Sequence, residues 1–216
     1  MGKVGFGLLL FLVFLSCKKQ DVLLPKSDFS STTEITDYSP IYLFFKTNQN
    51  DTIAELNRKN SIISTNWIFH VDKRMSLKTV IPQVMKLQEK KRSEKAHKNE
   101  NAENYYSYAD SLHKNLAFLK FTRVFYKLKK PVKDTVEMHF LSKNKLQIIL
   151  TDNGQNVFDF SKNKEAFLSY LKKTTQPICL SFDKKMYFED YIQIKIELEK
   201  NKIFNEIAIA PVEYLY

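Results

Sequence analysis

Hydrophobic and polar positions follow two different periods in the first half of the chain, and these periods predict its elements. Short apolar runs bounded by turn-forming residues predict strands, with the first two forming a hairpin around 48–51. These strands are predicted at 41–45, 52–56, 67–71 and 116–128. From Leu77 the apolar residues recur with the period of a helix, at Val80, Ile81, Val84, Met85 and Leu87. Pro82 should kink this helix or delay its start.

The second half repeats this mixture of strand and helix patterns. Residues 135–141 alternate, and 146–150 and 156–160 flank the turn Thr151–Gly154 as the clearest hairpin of the chain. Ser161 is expected to cap a helix with one apolar side, formed by Ala166, Phe167, Tyr170 and Leu171. Residues 192–199 alternate as a strand would, but they are helix formers, and we predict a helix there.

Two similar segments indicate an internal repeat. Val71-Asp-Lys-Arg-Met75 matches Phe182-Asp-Lys-Lys-Met186, 111 positions later, and each segment follows a predicted strand. The turn at 47–50 falls near 152–155, and the apolar pattern of 119–126 matches that of 207–214. The sequence therefore predicts an α/β (α+β) protein with two tandem small modules.

Each predicted module contains a hairpin, a helix that is short or absent in the first module, a strand, the Asp-Lys-basic-Met turn, a second helix and a final strand. We expect a mixed sheet with the helices on one face. The first module covers 39–130 and includes a charged insertion at 88–110. The second covers 134–216.

The amino terminus has the pattern of an export signal. Lys3 is followed by the apolar run Val4–Leu15, and then by Ser16 and Cys17. As a helix this run reaches about 18 Å, short of the roughly 30 Å of a bilayer core. The ending Leu15-Ser16-Cys17 resembles a bacterial lipoprotein signal. An uncleaved signal anchor is the alternative.

The lipoprotein resemblance implies a processed chain held in a membrane. Residues 1–16 would be a removed signal peptide, Cys17 would carry the lipid, and residues 17–38 would form a flexible tether. The resemblance places the protein in the cell envelope, anchored in a membrane and facing the periplasm.

Composition narrows the partners and the chemistry. The formal net charge is +10, and for an exported protein the anionic partners are headgroups and cell-wall polymers rather than nucleic acid. Apart from Cys17 the chain has only Cys179, which is predicted to lie in a buried strand. Its four glycines are Gly2, Gly5, Gly7 and Gly154.

So few glycines exclude several enzyme classes. A phosphate-binding P-loop, a dinucleotide-binding fingerprint and a G-x-S-x-G nucleophile elbow all need several glycines at fixed spacing. We therefore predict a protein that is not an enzyme and needs no cofactor. An uncharacterised hydrolase that uses His70 and Asp72 in a pocket is the less favoured alternative. The histidines are scattered without ligand spacing, so no metal site is predicted.

The order of elements resembles the periplasmic domain of the ExbD/TolR family, the small partners of proton-driven envelope motors. The resemblance includes an aspartate at the end of the central strand, Asp183 and in the first copy Asp72. It implies a fold and work between envelope components. Family members carry a transmembrane helix with a functional carboxylate, and this chain lacks its pattern, so motor coupling is not transferred. The resemblance favours a lipid-anchored lipoprotein that binds or scaffolds an envelope protein or peptidoglycan.

Two sets of residues are candidates for specific roles. Asp72 and Asp183 are predicted to cap the helices that follow them. The segment 86–108 joins basic residues to tyrosines, and such a surface suits an anionic polymer or glycan. The polymer-binding candidates are Lys90, Lys91, Arg92, Tyr105, Tyr106 and Tyr108. The alternative function is therefore a cell-wall or glycan-binding module, although a solvated helix end is the favoured explanation of the charges.

Overall fold

Over the residues that it describes, the computed structural model of the chain has two mixed sheets and two helices with described bounds, in agreement with the predicted α+β class. The structure describes residues 21–48, 51–59, 61–96, 99–132, 136–149, 155–159, 169, 177–202 and 207–216. The predicted signal peptide, Cys17 and the helix predicted after Ser161 lie outside these residues, apart from Ser169.

The first sheet has six strands. Five of them follow the order β1-β5-β4-β2-β3, and the sixth, β6, also pairs with β5. These strands are β1 (Lys26–Ser27), β2 (Tyr38–Asn48), β3 (Asp51–Asn57), β4 (Asn66–Val71), β5 (Asn104–Asp110) and β6 (Asn115–Lys120). The three central strands, β2, β4 and β5, are parallel, while β3 and β6 form antiparallel hairpins with β2 and β5. The predicted hairpin and the strand at 67–71 are thus confirmed.

The second sheet has the order β10-β9-β8-β11-β12-β7. Its strands are β7 (Phe125–Lys127), β8 (Val136–Ser142), β9 (Lys145–Ile149), β10 (Gln155–Asp159), β11 (Ile178–Phe182) and β12 (Ile209–Leu215). Strands β8, β11, β12 and β7 are parallel, and β9 pairs antiparallel with both β8 and β10. The predicted hairpin formed by β9 and β10 is confirmed, and Cys179 is buried in β11 as predicted.

Helix α1 (Leu77–Ser93) lies between β4 and β5 in the chain, and helix α2 (Phe188–Lys200) lies between β11 and β12. Both bury apolar residues in the core. The contested segment 192–199 is helical, as predicted. Its strict alternation has a physical reason, because α2 is buried around most of its circumference and apolar residues are needed on several sides. Pro82 lies inside α1, near the amino-terminal end.

The two sheets share one hydrophobic cluster. A chain of buried hydroxyl groups crosses it, with the oxygens of Tyr106 and Tyr126 3.0 Å apart and those of Tyr126 and Tyr191 3.1 Å apart. The Tyr191 hydroxyl donates to Glu213 at 2.8 Å, and Glu213 also accepts from the Lys195 ammonium group. This network joins β5 of the first sheet to β7, α2 and β12.

The two Asp-Lys-basic-Met turns contact each other. Ser76 and Tyr187 form an antiparallel bridge, and they lie 111 positions apart, which is the spacing of the predicted repeat. The bonds around it are reciprocal: Leu77 N donates to Met186 O at 2.9 Å, and Phe188 N donates to Met75 O at 2.8 Å. We refer to residues 72–78 and 183–189 as the paired turns.

Three predicted boundaries differ from the structure. The charged insertion at 88–110 contains the end of α1 and the whole of β5, because Tyr106 and Tyr108 lie two apart and fill the core side of a strand while Tyr105 lies on its other side. The last strand beside β4 is therefore β5, not the segment at 119–126 that the repeat predicted. Strand β7 lies before residue 130, yet it pairs with β12 in the second sheet.

The predicted tether 17–38 also differs over the part that the structure describes. Strand β1 pairs with β5, and the backbone N–H of Ser31 donates to the Tyr108 hydroxyl at 2.9 Å. Leu23 O accepts from the Lys73 N–H at 2.8 Å. Residues 21–38 thus lie along the first sheet. The backbone N–H and C=O groups at the end of β5 need hydrogen-bond partners, and β1 supplies them.

Candidate functional site: a groove on the first sheet

The predicted polymer-binding residues do not form one surface. Tyr106 and Tyr108 are fully buried in the core face of β5, and Lys91 is 9% exposed. Lys90 is exposed in the last turn of α1, while Tyr105 is half-buried. These residues would form one patch only if the segment 86–108 were a surface loop. Its tyrosines instead lie in β5, a central strand of the first sheet.

Lys91 has a structural environment. Its ammonium group donates to the carbonyl oxygens of Thr65 at 3.0 Å and Glu103 at 3.3 Å, and to Asn104 Oδ1 at 3.0 Å. It also lies 4.8 Å from the centre of the Trp67 ring. Burial lowers the pKa of Lys91 to about 8. Three acceptors match the three ammonium hydrogens, so none is left for a ligand.

Arg92 is held in a similar way. Its Nη2 donates to the carbonyl oxygens of Thr122 at 2.9 Å and Val124 at 3.1 Å, and the guanidinium lies 4.1 Å from the Phe125 ring centre. The group thereby ties the end of α1 to the loop between the two sheets.

The two predicted capping aspartates do not cap the helices. The N-cap residues are Ser76 and Tyr187, and neither receives a side-chain capping bond. Asp72 Oδ1 instead accepts from the Arg74 N–H at 3.0 Å, and Asp183 Oδ1 accepts from the Lys185 N–H at 2.7 Å. The prediction was wrong because each aspartate closes the turn before the helix, a local bond that short acidic side chains favour.

Asp72 is also anchored to the amino-terminal segment. Its Oδ2 accepts from the Leu23 N–H at 3.2 Å and from Arg74 Nη2 at 2.8 Å. Burial alone would raise the pKa of Asp72, but the bonds from Arg74 and Leu23 outweigh it, and the pKa is lowered. No hydrogen bond or ion pair joins this carboxylate to His70 in the described part of the chain, so the pocket expected for a hydrolase is not assembled by these two residues.

A different feature of the first sheet gathers accessible groups. The segment 33–36 crosses the sheet face opposite the core and leaves a groove of about 560 Å³ beneath it. The Phe118 N–H donates to Thr32 O at 2.8 Å and the Asn66 side chain donates to Thr36 O at 2.9 Å, which fixes both ends of the segment. The groove is lined by Thr33, Glu34, Ile35, Thr36, Tyr38, Pro40, Tyr42, Ile68, His70, Leu116 and Phe118.

The lining combines aromatic, aliphatic and threonine side chains, and most of it is uncharged. Tyr38 is 53% exposed and Leu116 39% exposed, so apolar surface faces solvent there. Glu34 is the one carboxylate among the lining residues, and no lysine or arginine joins it. A volume of this size and a few polar groups between apolar walls are typical of small-molecule sites.

His70 is the polar centre of the groove. Its ring stacks on Tyr42 with the centroids 4.8 Å apart, and Nδ1 lies 2.8 Å from the Ser107 hydroxyl oxygen. Burial lowers the pKa of His70 to about 4, so the ring is neutral at physiological pH. No hydrogen bond to Nε2 is found among the described residues, and His70 lines the groove.

The second sheet contains a closed counterpart. His139 Nδ1 lies 2.8 Å from Ser181 Oγ, and the Ser181 hydroxyl donates to Glu137. Since that hydroxyl has one hydrogen, His139 Nδ1 must carry a proton and donate to Ser181. The Tyr216 hydroxyl donates to Glu137 at 2.7 Å and its ring stacks on His139 at 4.5 Å.

This cluster has the residue types of a hydrolytic triad in a different arrangement. A triad places the histidine between the serine and the acid, whereas here Ser181 lies between His139 and Glu137. Ser181 is fully buried, and His139 and Glu137 are each 5% exposed. Burial lowers the pKa of His139, although the Glu137 carboxylate opposes the shift. The arrangement satisfies buried polar groups rather than presenting a nucleophile.

The sequence pattern contained one signal for the groove. Tyr38, Pro40 and Tyr42 alternate along β2 and must share one side of that strand. The contribution of His70, Phe118 and the crossing segment depends on strand pairing, which the pattern alone does not specify.

Comparison with known proteins does not identify the chain. No protein-family model, curated protein or solved structure matches it. In the part of the chain that the structure describes, neither helix is long and apolar enough to cross a membrane. The same residues contain no group of three or more histidine, cysteine or acidic side chains placed to hold a metal ion.

Proposed function

We propose that the protein is a lipid-anchored lipoprotein of a bacterial envelope that acts by binding or scaffolding and not by catalysis. The anchor is Cys17, after the signal-like run Val4–Leu15 and Ser16. The observation that carries the binding function is the groove on the first sheet, whose lining includes the exposed Tyr38 and the neutral His70. The partner is an envelope protein or peptidoglycan on the periplasmic side.

We also propose that the body consists of two tandem copies of one ExbD/TolR-like unit. Two observations support this. Each sheet contains a parallel trio formed by the first strand of a hairpin, a central strand and the strand after the helix: β2, β4 and β5, and β8, β11 and β12. The paired turns are bridged between residues 111 positions apart. The family's motor activity is not part of the proposal.

A glycan is the second candidate partner, and the lining of the groove favours it. Aromatic rings offer flat apolar faces to a sugar ring, while the His70 imidazole and the threonine hydroxyls offer uncharged hydrogen-bonding groups. An anionic group would find Glu34 in the groove and no cation among the other lining residues. The cell-wall function thus moves from the basic segment 86–108 to Tyr38, Tyr42 and His70.

Two measurements test these proposals. The mass of the mature amino terminus tests the anchor, because a lipid-modified Cys17 is expected and an unmodified amino terminus would contradict it. Co-sedimentation with purified cell wall tests the groove. Tyr38→Ala should weaken sedimentation about fivefold to tenfold, the range for an aromatic contact at a binding site.

Tyr187→Ala is the matched control for Tyr38→Ala. Tyr187 is 60% exposed against 53% for Tyr38, and it lies in the paired turns, outside the groove. Its replacement should leave cell-wall binding unchanged. Equal binding by wild type and Tyr38→Ala, or equal loss in both variants, would refute binding of cell wall in the groove. Crosslinking in intact cells would then show whether a protein partner occupies it.

A further inference from the structure

The paired turns lie close to the proposed lipid anchor. Leu23 is bonded to the first turn twice, through its N–H to the Asp72 carboxylate and through its carbonyl to the Lys73 N–H. Six residue steps separate Leu23 from Cys17, and an extended chain covers at most about 22 Å in six steps. If Cys17 carries the lipid, the paired turns are therefore held within that distance of the bilayer surface.

Backbone bonds keep the second turn beside the first. The Lys78 N–H donates to Lys184 O at 2.8 Å, and the Glu189 N–H donates to Lys73 O at 3.3 Å. The carboxyl-terminal residue also belongs to this region, because Tyr216 O accepts from the Lys184 N–H at 3.2 Å and Lys130 lies over the Tyr216 ring at 5.2 Å.

The charges of this region are unequal in accessibility. Arg74 is paired with Asp72 at 2.8 Å and Lys73 with Glu189 at 3.0 Å. The remaining acids are Asp183, which accepts the bond that closes its own turn, and Asp190, which is half-buried. In contrast, three lysines are exposed and form no ion pair with any described residue: Lys78, Lys184 and Lys185.

Two exposed amphipathic or apolar side chains accompany these lysines. Tyr187 is 60% exposed and Leu23 is 46% exposed. Tyrosine is enriched where a protein meets the headgroup layer of a membrane, because its ring is apolar and its hydroxyl is polar. Lysines beside such residues attract anionic headgroups, and each lysine adds to the binding free energy when it lies close to the membrane surface.

We propose that the paired turns are the membrane-facing surface of the protein and bind anionic phospholipid headgroups through Lys78, Lys184 and Lys185. This inference rests on the proposed lipid anchor. The surface would act together with the lipid on Cys17 as a second membrane-binding signal. Held at both points, the protein would not rotate freely about its tether, and the groove of the first sheet would keep a fixed orientation to the membrane.

Amine labelling of the mature lipoprotein in vesicles tests this orientation. The protein is reconstituted in phosphatidylcholine vesicles, with or without phosphatidylglycerol, and the labelling rate of each lysine is read by mass spectrometry. With the anionic lipid, Lys78, Lys184 and Lys185 should be labelled about fivefold more slowly. High salt should restore the rates, since screening shortens the range of the attraction.

Lys90 and Lys95 are the internal control. Lys90 lies in the last turns of α1 and Lys95 just beyond its end, and the rise of a helix places Lys90 about 20 Å from Leu77. That exceeds the screening length of about 8–10 Å at physiological salt, so their labelling should not depend on the lipid. Equal labelling of both groups in the two lipids, or equal slowing of both, would overturn the proposal.

A pair of variants provides a second readout. Lys184→Gln with Lys185→Gln should abolish the protection of Lys78 by anionic lipid, whereas Lys90→Gln with Lys95→Gln should retain it. Unchanged protection in the first variant would count against the proposal. The amino-terminal mass separates the two levels of the argument, because an unmodified Cys17 overturns both the anchor and this orientation, and a lipidated Cys17 with unprotected lysines overturns the orientation alone.

Discussion

Each sheet places a histidine beside a serine and against a tyrosine ring, but the two clusters have different surroundings. In the first sheet His70 meets Ser107 at 2.8 Å and stacks on Tyr42, and His70 lines a groove. In the second sheet His139 meets Ser181 at the same distance.

The difference lies in what closes the second cluster. Glu137 accepts bonds from Ser181 and Tyr216, and the carboxyl-terminal tyrosine covers the histidine. In the first sheet Tyr42 stacks on His70, but no carboxylate among the described residues bonds to the His70–Ser107 pair, and His70 lines the groove below the segment 33–36. Both serines are fully buried, but the histidine belongs to a closed core in the second sheet and lines an accessible groove in the first.

The largest expected effect comes from removing the carboxylate that closes the second cluster. Glu137→Leu leaves the hydroxyl groups of Ser181 and Tyr216 without their acceptor in a buried site, and we expect a loss of about 2–3 kcal/mol in the free energy of unfolding. Urea denaturation measures it. Glu34→Gln, at an exposed acid of the groove, should change stability by less than about 0.5 kcal/mol. Similar losses in both variants would mean that the two surroundings do not differ.

Acid should destabilise the protein through His70. Its pKa is about 4 in the folded protein against 6.5 for the free side chain, so unfolding takes up a proton between these values. The contribution of the neutral His70 to the free energy of unfolding is fully present above about pH 6.5 and is lost as the pH drops toward 4. At about 1.4 kcal/mol per pKa unit, and discounted because the ring partly meets solvent, the loss is about 2 kcal/mol.

The variant His70→Gln isolates this contribution. Its free energy of unfolding should fall less between pH 7 and pH 4.5 than that of the wild type, by roughly the same amount. Denaturant titrations at the two pH values make the comparison, and His139 is present in both proteins. Parallel pH curves would show that the pKa of His70 is the same in the folded and the unfolded protein.

The smallest effect distinguishes the two serines. Ser107→Ala removes one partner of His70 beside an accessible groove, and we expect a loss of about 1 kcal/mol. Ser181→Ala takes a donor from Glu137 and an acceptor from His139 in a closed site, so the loss should approach about 2 kcal/mol. Thermal unfolding of the two variants side by side tests this order. A larger loss for Ser107→Ala would reverse our interpretation of which cluster is closed.

Local patterns were sufficient for most elements of the fold. Short apolar runs identified β2, β3, β4 and the hairpin of β9 and β10, and residue propensity identified α2 despite its alternation. They failed for β5, since the charges before Tyr105 resembled a solvated loop. They also failed for the aspartates of the paired turns, because a turn bond and a helix cap use the same side chain.

The residues of the candidate site were harder to predict from the sequence than the elements of the fold. Alternation along β2 places Tyr38 and Tyr42 on one side, but it does not place His70 or Phe118 beside them. The lysine and tyrosines of the segment 86–108 had a suitable composition for binding, yet Lys91, Tyr106 and Tyr108 are interior residues.

From residue order alone came the mixed α/β class, the signal-like amino terminus, the buried Cys179 and the repeated Asp-Lys-basic-Met segment. These properties depend on short-range periodicity and composition, which are complete in a linear chain. Strand order, the pairing of β7 with the second sheet and the path of residues 21–38 depended on the folded molecule. They arise from contacts between residues far apart in the chain, where competition for the edge of a sheet, and not local preference, selects the partner.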